Sequence, residues 1–169
     1  MDIYALLIIL HVAGTILGVG GSTFAEVLSI QAQRDGKFTP EEGQMLHATF
    51  KVLRVGMILL LLSGFGLLLY YRIIGATGVL LEPMLWVKLT FMFIIVINAL
   101  LLQAKLVPFI VGGTLSFVTW YAAFIVGAWR GFPYDYVPTM AAYIVSLFVV
   151  GYILHRVHLY FIPPKQPAA

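Results

Sequence analysis

The sequence predicts an all-α integral membrane bundle of five transmembrane helices, with the N-terminus out and the C-terminus in. Three observations predict it. The 169 residues are 62% hydrophobic and 10% charged, with a mean hydropathy of +1.01, whereas a soluble domain carries about 25% charged residues. Five stretches, 3–29, 47–71, 84–106, 108–129 and 136–161, are long enough to cross a hydrocarbon core that takes about 20 helical residues. Lysine and arginine are distributed unevenly. Seven (Arg34, Lys37, Lys51, Arg54, Lys105, Arg156 and Lys165) fall at the end opposite the N-terminus, called end B. Three (Arg72, Lys88 and Arg130) fall at the N-terminal end, end A. Basic residues collect on the cytoplasmic side, which makes end B inside.

The first stretch reads as a span and not as a cleaved signal peptide, because Asp2 stands where a basic region belongs and the apolar run is too long. It carries Gly14 and Gly18 at small-xxx-small spacing, followed by Gly20-Gly21, which permits close helix contact or makes room for a flat cofactor. Residues 31–43 read as the one long polar loop. Within it, Thr39-Pro40-Glu41-Glu42 has the order of a helix start: Thr39 as N-cap, Pro40 in the first turn, Glu42 closing a capping box. The second helix therefore starts in water at Pro40 and enters the membrane near His47. Residues 75–83 form a short turn ending at proline, and Lys105 to Pro108 a tight one. The third span holds Lys88 and, deeper, Asn98; the fourth pairs Gly112 with Ser116. Gly131-Phe132-Pro133 separates the fourth span from the fifth, and the tail Pro163-Pro164-Lys165-Gln166-Pro167 is too proline-rich for helix. Tyr4, Tyr70, Tyr71, Trp86, Trp129, Tyr134 and Tyr136 form an aromatic belt at end A.

Composition also excludes function classes. One domain of this length leaves no separate soluble catalytic unit. Without cysteine there are no disulfides, thiolate metal sites, cysteine-held iron–sulfur clusters or covalent c-type haem. There is no GxSxG elbow and no phosphate-binding loop. Glu26 is the sole acid well inside an apolar run, so paired-carboxylate catalysis has no candidate pair. The +3 net charge reflects a membrane topology and not a nucleic-acid partner.

Ionisable residues at membrane depth cost a few kcal/mol each and are functional candidates by default. His11 lies about 12 Å of helix rise from Ile3 and Lys88 about 6 Å from Met84, both in the outer half. Neutral imidazole is a ligand for haem iron. A lysine ammonium holds a propionate or an anionic substrate, and when deprotonated by burial it serves as base or ligand. The plain alternatives are a packed histidine and a lysine snorkelling to the headgroups. A second cluster lies at end B: His47, Lys51 and Arg54 share one face of the second helix, and His155, Arg156 and His158 lie on the fifth. His47 with His155 or His158 would ligate a metal or a second haem, with Arg54 on a propionate. The competing reading is a basic interface touching lipid phosphates. Glu26 is placed to pair with Lys51 or Arg54.

Leu10-His11-Val12-Ala13-Gly14 followed by Gly20-Gly21-Ser22-Thr23-Phe24 resembles the first helix of the HemJ/CopD-like superfamily of small membrane proteins. Trp86-Val87-Lys88-Leu89-Thr90-Phe91 resembles the third-helix motif of HemJ-type protoporphyrinogen IX oxidases. The resemblance covers roughly residues 4–105. It implies b-type haem in a multi-pass protein of a bacterial-type inner membrane, with His11 as axial ligand and Lys88 as a tetrapyrrole-positioning or catalytic residue; a second haem would fall to the end-B histidines. Electrons would leave toward quinone. The fourth helix opens Val111-Gly112-Gly113-Thr114 where that pattern has Asn-Glu-x-Pro-Thr, and a fifth helix with His155 and His158 lies outside it. Two other readings stand beside it. One is a CopD-like copper-handling protein using histidines with Met45, Met57, Met84 and Met92. The other is a b-type cytochrome or anchor subunit within a homo-oligomer or larger membrane complex.

Overall fold

The computed structural model describes residues 2–34, 39–129 and 131–161. Among the described residues it is all-helical: α1 (Ile3–Arg34), α2 (Pro40–Ile73), α3 (Pro83–Gln103), α4 (Phe109–Ala128) and α5 (Tyr136–Phe161), with a short 3₁₀ segment, Thr77–Leu81, between α2 and α3. All five α-helices are long and apolar enough to cross a membrane. The outer surface agrees with lipid contact. Leu62, Phe65, Phe93, Val137, Phe148 and Tyr152 are each more than 60% exposed, a surface that water would not tolerate. The interior instead holds Ser22, Ser63, Asn98, Thr119 and Thr139 beside its apolar core. Lys37, Arg130, Lys165 and the proline-rich tail lie outside the described residues, as does the side chain of Arg34.

α1 and α2 form an antiparallel hairpin in which glycine meets backbone. A Cβ on Gly14 would lie 2.8 Å from Leu60 N and 2.9 Å from Gly56 O, and one on Gly56 would lie 3.0 Å from Gly14 O and from Gly18 N. The register continues toward end A through His11 with Ser63 to Tyr4 with Tyr71, and toward end B through Gly21 with Leu53. The second flank of Gly18 is filled by the Trp120 indole of α4, into which any side chain at position 18 would run. The glycine spacing of α1 thus serves helix packing, with an indole in the space a flat cofactor would need.

α3, α4 and α5 form a second packed group around Val87, Phe91, Val118, Val126 and Tyr143. The Phe91 and Tyr143 rings lie 4.9 Å apart. α4 joins the two groups. It packs on α1, α3 and α5, and its Trp120 meets Leu60 of α2 and Ile95 of α3. α1 and α3 do not pack on one another, and neither do α2 and α5.

Four interhelical bonds repeat one chemical device. A hydroxyl donates to a carbonyl one turn back on its own helix, and its oxygen accepts from a donor on a neighbour. Ser63 donates to Leu59 O (2.6 Å), Thr23 to Val19 O (2.8 Å), Thr119 to Leu115 O (2.6 Å) and Thr90 to Trp86 O (2.8 Å). A hydroxyl has one proton, so each oxygen is the acceptor in its second bond. The donors are His11 Nδ1 (3.1 Å), Tyr121 (3.0 Å), Tyr143 (2.7 Å) and Tyr136 (3.2 Å).

The helix ends follow local chemistry. Thr39 and Glu42 form the expected capping box, with Thr39 N donating to Glu42 Oε2 (2.8 Å) and Glu42 N to Thr39 Oγ1 (3.3 Å). Residues 31–34, expected as loop, instead continue α1 as helix; Gln, Ala and Arg are good helix formers in water. Two ends are Schellman motifs. After α2, Gly75 (φ 75°) donates to Arg72 O and Ala76 to Tyr71 O; after α3, Lys105 (φ 57°) donates to Leu102 O and Leu106 to Leu101 O. The second uses a lysine where the conformation favours glycine.

Candidate functional site

His11 sits half-buried on the α1–α2 interface toward end A. Ser63 spends its only proton on Leu59 O, so the 3.1 Å contact is His11 Nδ1–H donating to Ser63 Oγ. That bond defines the tautomer and leaves Nε2 with its lone pair free to act as ligand or base. Gly64 keeps the ring edge open, since a Cβ there would touch His11 Cε1 at 3.4 Å. Thr15 donates to the His11 carbonyl at 2.9 Å. Lys88 lies on α3, exposed, beside the fully buried Val87. Although α1 and α3 do not pack together, both residues lie toward the same end of the bundle, His11 in the third turn of α1 and Lys88 in the second turn of α3. The structure therefore brings the two outer residues to one end of the bundle, with a free imidazole nitrogen and a positive charge.

The inner residues are not brought together as a set. His47, Lys51 and Arg54 are exposed on α2, His155 and Arg156 are exposed on α5, and the two helices do not pack on each other. Among the described residues no group of three or more His, Asp or Glu is placed to hold a metal ion. His47 therefore does not pack against His155 or His158. Arg156 turns back on its own helix, 3.4 Å from the Tyr152 hydroxyl and 5.9 Å from that ring's centre. His158 behaves differently. It is buried between helices, its Nδ1–H donates to Leu154 O (2.9 Å), and its Nε2 faces Glu26 Oε1 at 3.8 Å. Glu26 thus faces His158, not Lys51 or Arg54.

Donor chemistry at His11 fits an axial haem ligand, because a hydrogen-bonded Nδ1–H is the usual way a protein orients a ligating imidazole. Two open grooves of the surface lie elsewhere. One, at end A, is lined by Leu81, Pro83, Trp86, Thr90 and Tyr136; the other runs along the α5 end from Tyr152 to Phe161.

Sequence reasoning missed Ser63, Trp120 and the pairing of Glu26 with His158. Ser63 left a signal, being the sole polar side chain in residues 55–69. Asn98, noted in the sequence without a role, ties α3 to α4 by donating to Gly112 O (2.8 Å). Comparison of the chain with protein-family models, curated proteins and solved structures gives no match.

Proposed function

We propose that the protein is a haem b-binding membrane oxidoreductase, similar to HemJ-type proteins, that passes electrons toward quinone. The observation that carries this reading is the His11 imidazole, anchored through Nδ1–H to Ser63 with Nε2 free. Haem, when bound, supplies one-electron chemistry. His11 supplies the lone pair toward its iron. Lys88 supplies an ammonium that pairs with a propionate or an anionic tetrapyrrole substrate. Its position in the second turn of α3, at the same end of the bundle as His11, suits that role. The orientation proposed is N-out and C-in, in a bacterial-type inner membrane, from the seven basic residues at end B against three at end A.

The absorption spectrum of purified, haem-replete protein tests the class. A Soret band is expected, and folded protein without one overturns the reading. His11→Ala is expected to abolish or shift that band. An unchanged spectrum in that variant removes His11 as ligand while leaving the class standing.

A further inference from the structure

We propose that Glu26 and His158 form a proton-binding site inside the bundle, at end B, holding one exchangeable proton between carboxylate and imidazole. The site is separate from His11 and does not depend on haem.

The geometry carries it. Both side chains are buried, Glu26 at 7% exposure and His158 at 3%. His158 Nδ1 faces the Leu154 carbonyl at 2.9 Å, and a carbonyl only accepts, so Nδ1 carries a hydrogen. The remaining ring nitrogen, Nε2, points at Glu26 Oε1 across 3.8 Å, and neither atom has a hydrogen-bond partner. A bare carboxylate facing an imidazole lone pair in a buried site leaves one uncompensated charge and two unmet acceptors. One proton answers both. On Oε1 it makes two neutral groups; on Nε2 it makes an ion pair. In either form, a shift of about 1 Å brings the atoms to hydrogen-bond distance, and in the ion pair that bond is charge-assisted. Moving the proton changes only an O–H and an N–H bond and needs no electron acceptor.

Among the described residues, the surroundings leave the pair to itself. α4, which packs on both helices, has no Asp, Glu, Lys, Arg or His along its length, and its Gly113 faces the second carboxylate oxygen. On α2, Lys51 and Arg54 are exposed; on α5, so are His155 and Arg156. The site lies about two turns from the end of α1 and in the last turn of α5, close enough to end B to exchange with water there. A proton held at this depth, on groups that each titrate, is what a membrane protein needs to take up or release a proton during its cycle.

The test uses full-length protein in lipid bilayers, labelled with ¹³C-glutamate and ¹⁵N-histidine and washed with chelator, examined by solid-state NMR at neutral pH. The expected result is one proton on the pair: either a protonated Glu26 with neutral His158, or a Glu26 carboxylate with a His158 imidazolium. In both, Nδ1 is protonated and the shared proton exchanges in D₂O. Glu26→Gln is expected to leave His158 neutral, and His158→Gln to remove its signals. If either variant fails to fold, the Glu26–His158 cross-peak of the unmutated protein makes the assignment. A carboxylate beside a neutral imidazole, two protons on the pair, or a proton that does not exchange would each overturn the proposal. So would a stoichiometric divalent metal lost in Glu26→Gln.

Discussion

At the scale of single residues, the distinction that matters is between histidines that use one ring nitrogen and those that use both. His11 shares the hydroxyl device with three tyrosines, but a tyrosine has no second functional atom and His11 does. Ser63→Ala is therefore expected to do two things. It removes one interhelical bond, costing about 0.5–1.5 kcal/mol of stability, read by denaturant unfolding in detergent. It also frees the ring, so under the proposed function the haem spectrum should change, whereas Thr119→Val, which loses a similar bond elsewhere, should change stability alone. An identical response of both variants would make His11 a packing residue. His11 and Lys88 were legible in the sequence because each interrupts an apolar stretch. The partner of Glu26 was not. Lys51 and Arg54 have the obvious charge, and only the rotation of each helix decides that they face outward while His158 faces in.

At the scale of elements, helix starts were more legible than helix neighbours. Thr39, Pro40 and Glu42 carry the whole signal for the α2 start within four residues. Residues 31–34 look polar enough for a loop, yet polar residues with good propensity extend a helix into water as readily as they end it. The left-handed Lys105 leads to a stabilising substitution. Lys105→Gly keeps both Schellman bonds and relieves the strain of φ 57°, an expected gain of about 1 kcal/mol measured by thermal unfolding. Gly56→Leu acts in the opposite direction. Its side chain would start 3.0 Å from the α1 backbone, so the hairpin must separate, at a cost of at least about 2 kcal/mol.

At the scale of the whole molecule, five apolar helices were legible from composition and length, but their arrangement was not. Nothing in a hydropathy pattern says that α4 is the central helix or that Trp120 fills the slot beside Gly18. Trp120 is 1% exposed and touches both packed groups. Trp120→Ala should loosen the α1–α2 hairpin from the rest, with a loss of about 3–5 kcal/mol and increased hydrogen exchange along α4. The proposed orientation is checked by reporter fusions: a fusion after Phe161 is expected to be cytoplasmic and one at Gly75 to be outside.

The unequal helix lengths have a mechanical consequence. α3 and α4, with 21 and 20 residues, span about 30 Å, while α1 and α2, with 32 and 34, reach about 50 Å. The surplus stands at the α2 start, and the hairpin is held glycine to backbone at Gly14, Gly18 and Gly56. That makes it a stiff lever with its fulcrum at the glycine crossing. The long arm ends at the Thr39 capping box and the short arm carries His11 with Ser63. A sideways displacement of the tip reaches the His11 end as a motion about one quarter as large, and it carries His11 and Ser63 together because the hydrogen bond between them lies within the same hairpin.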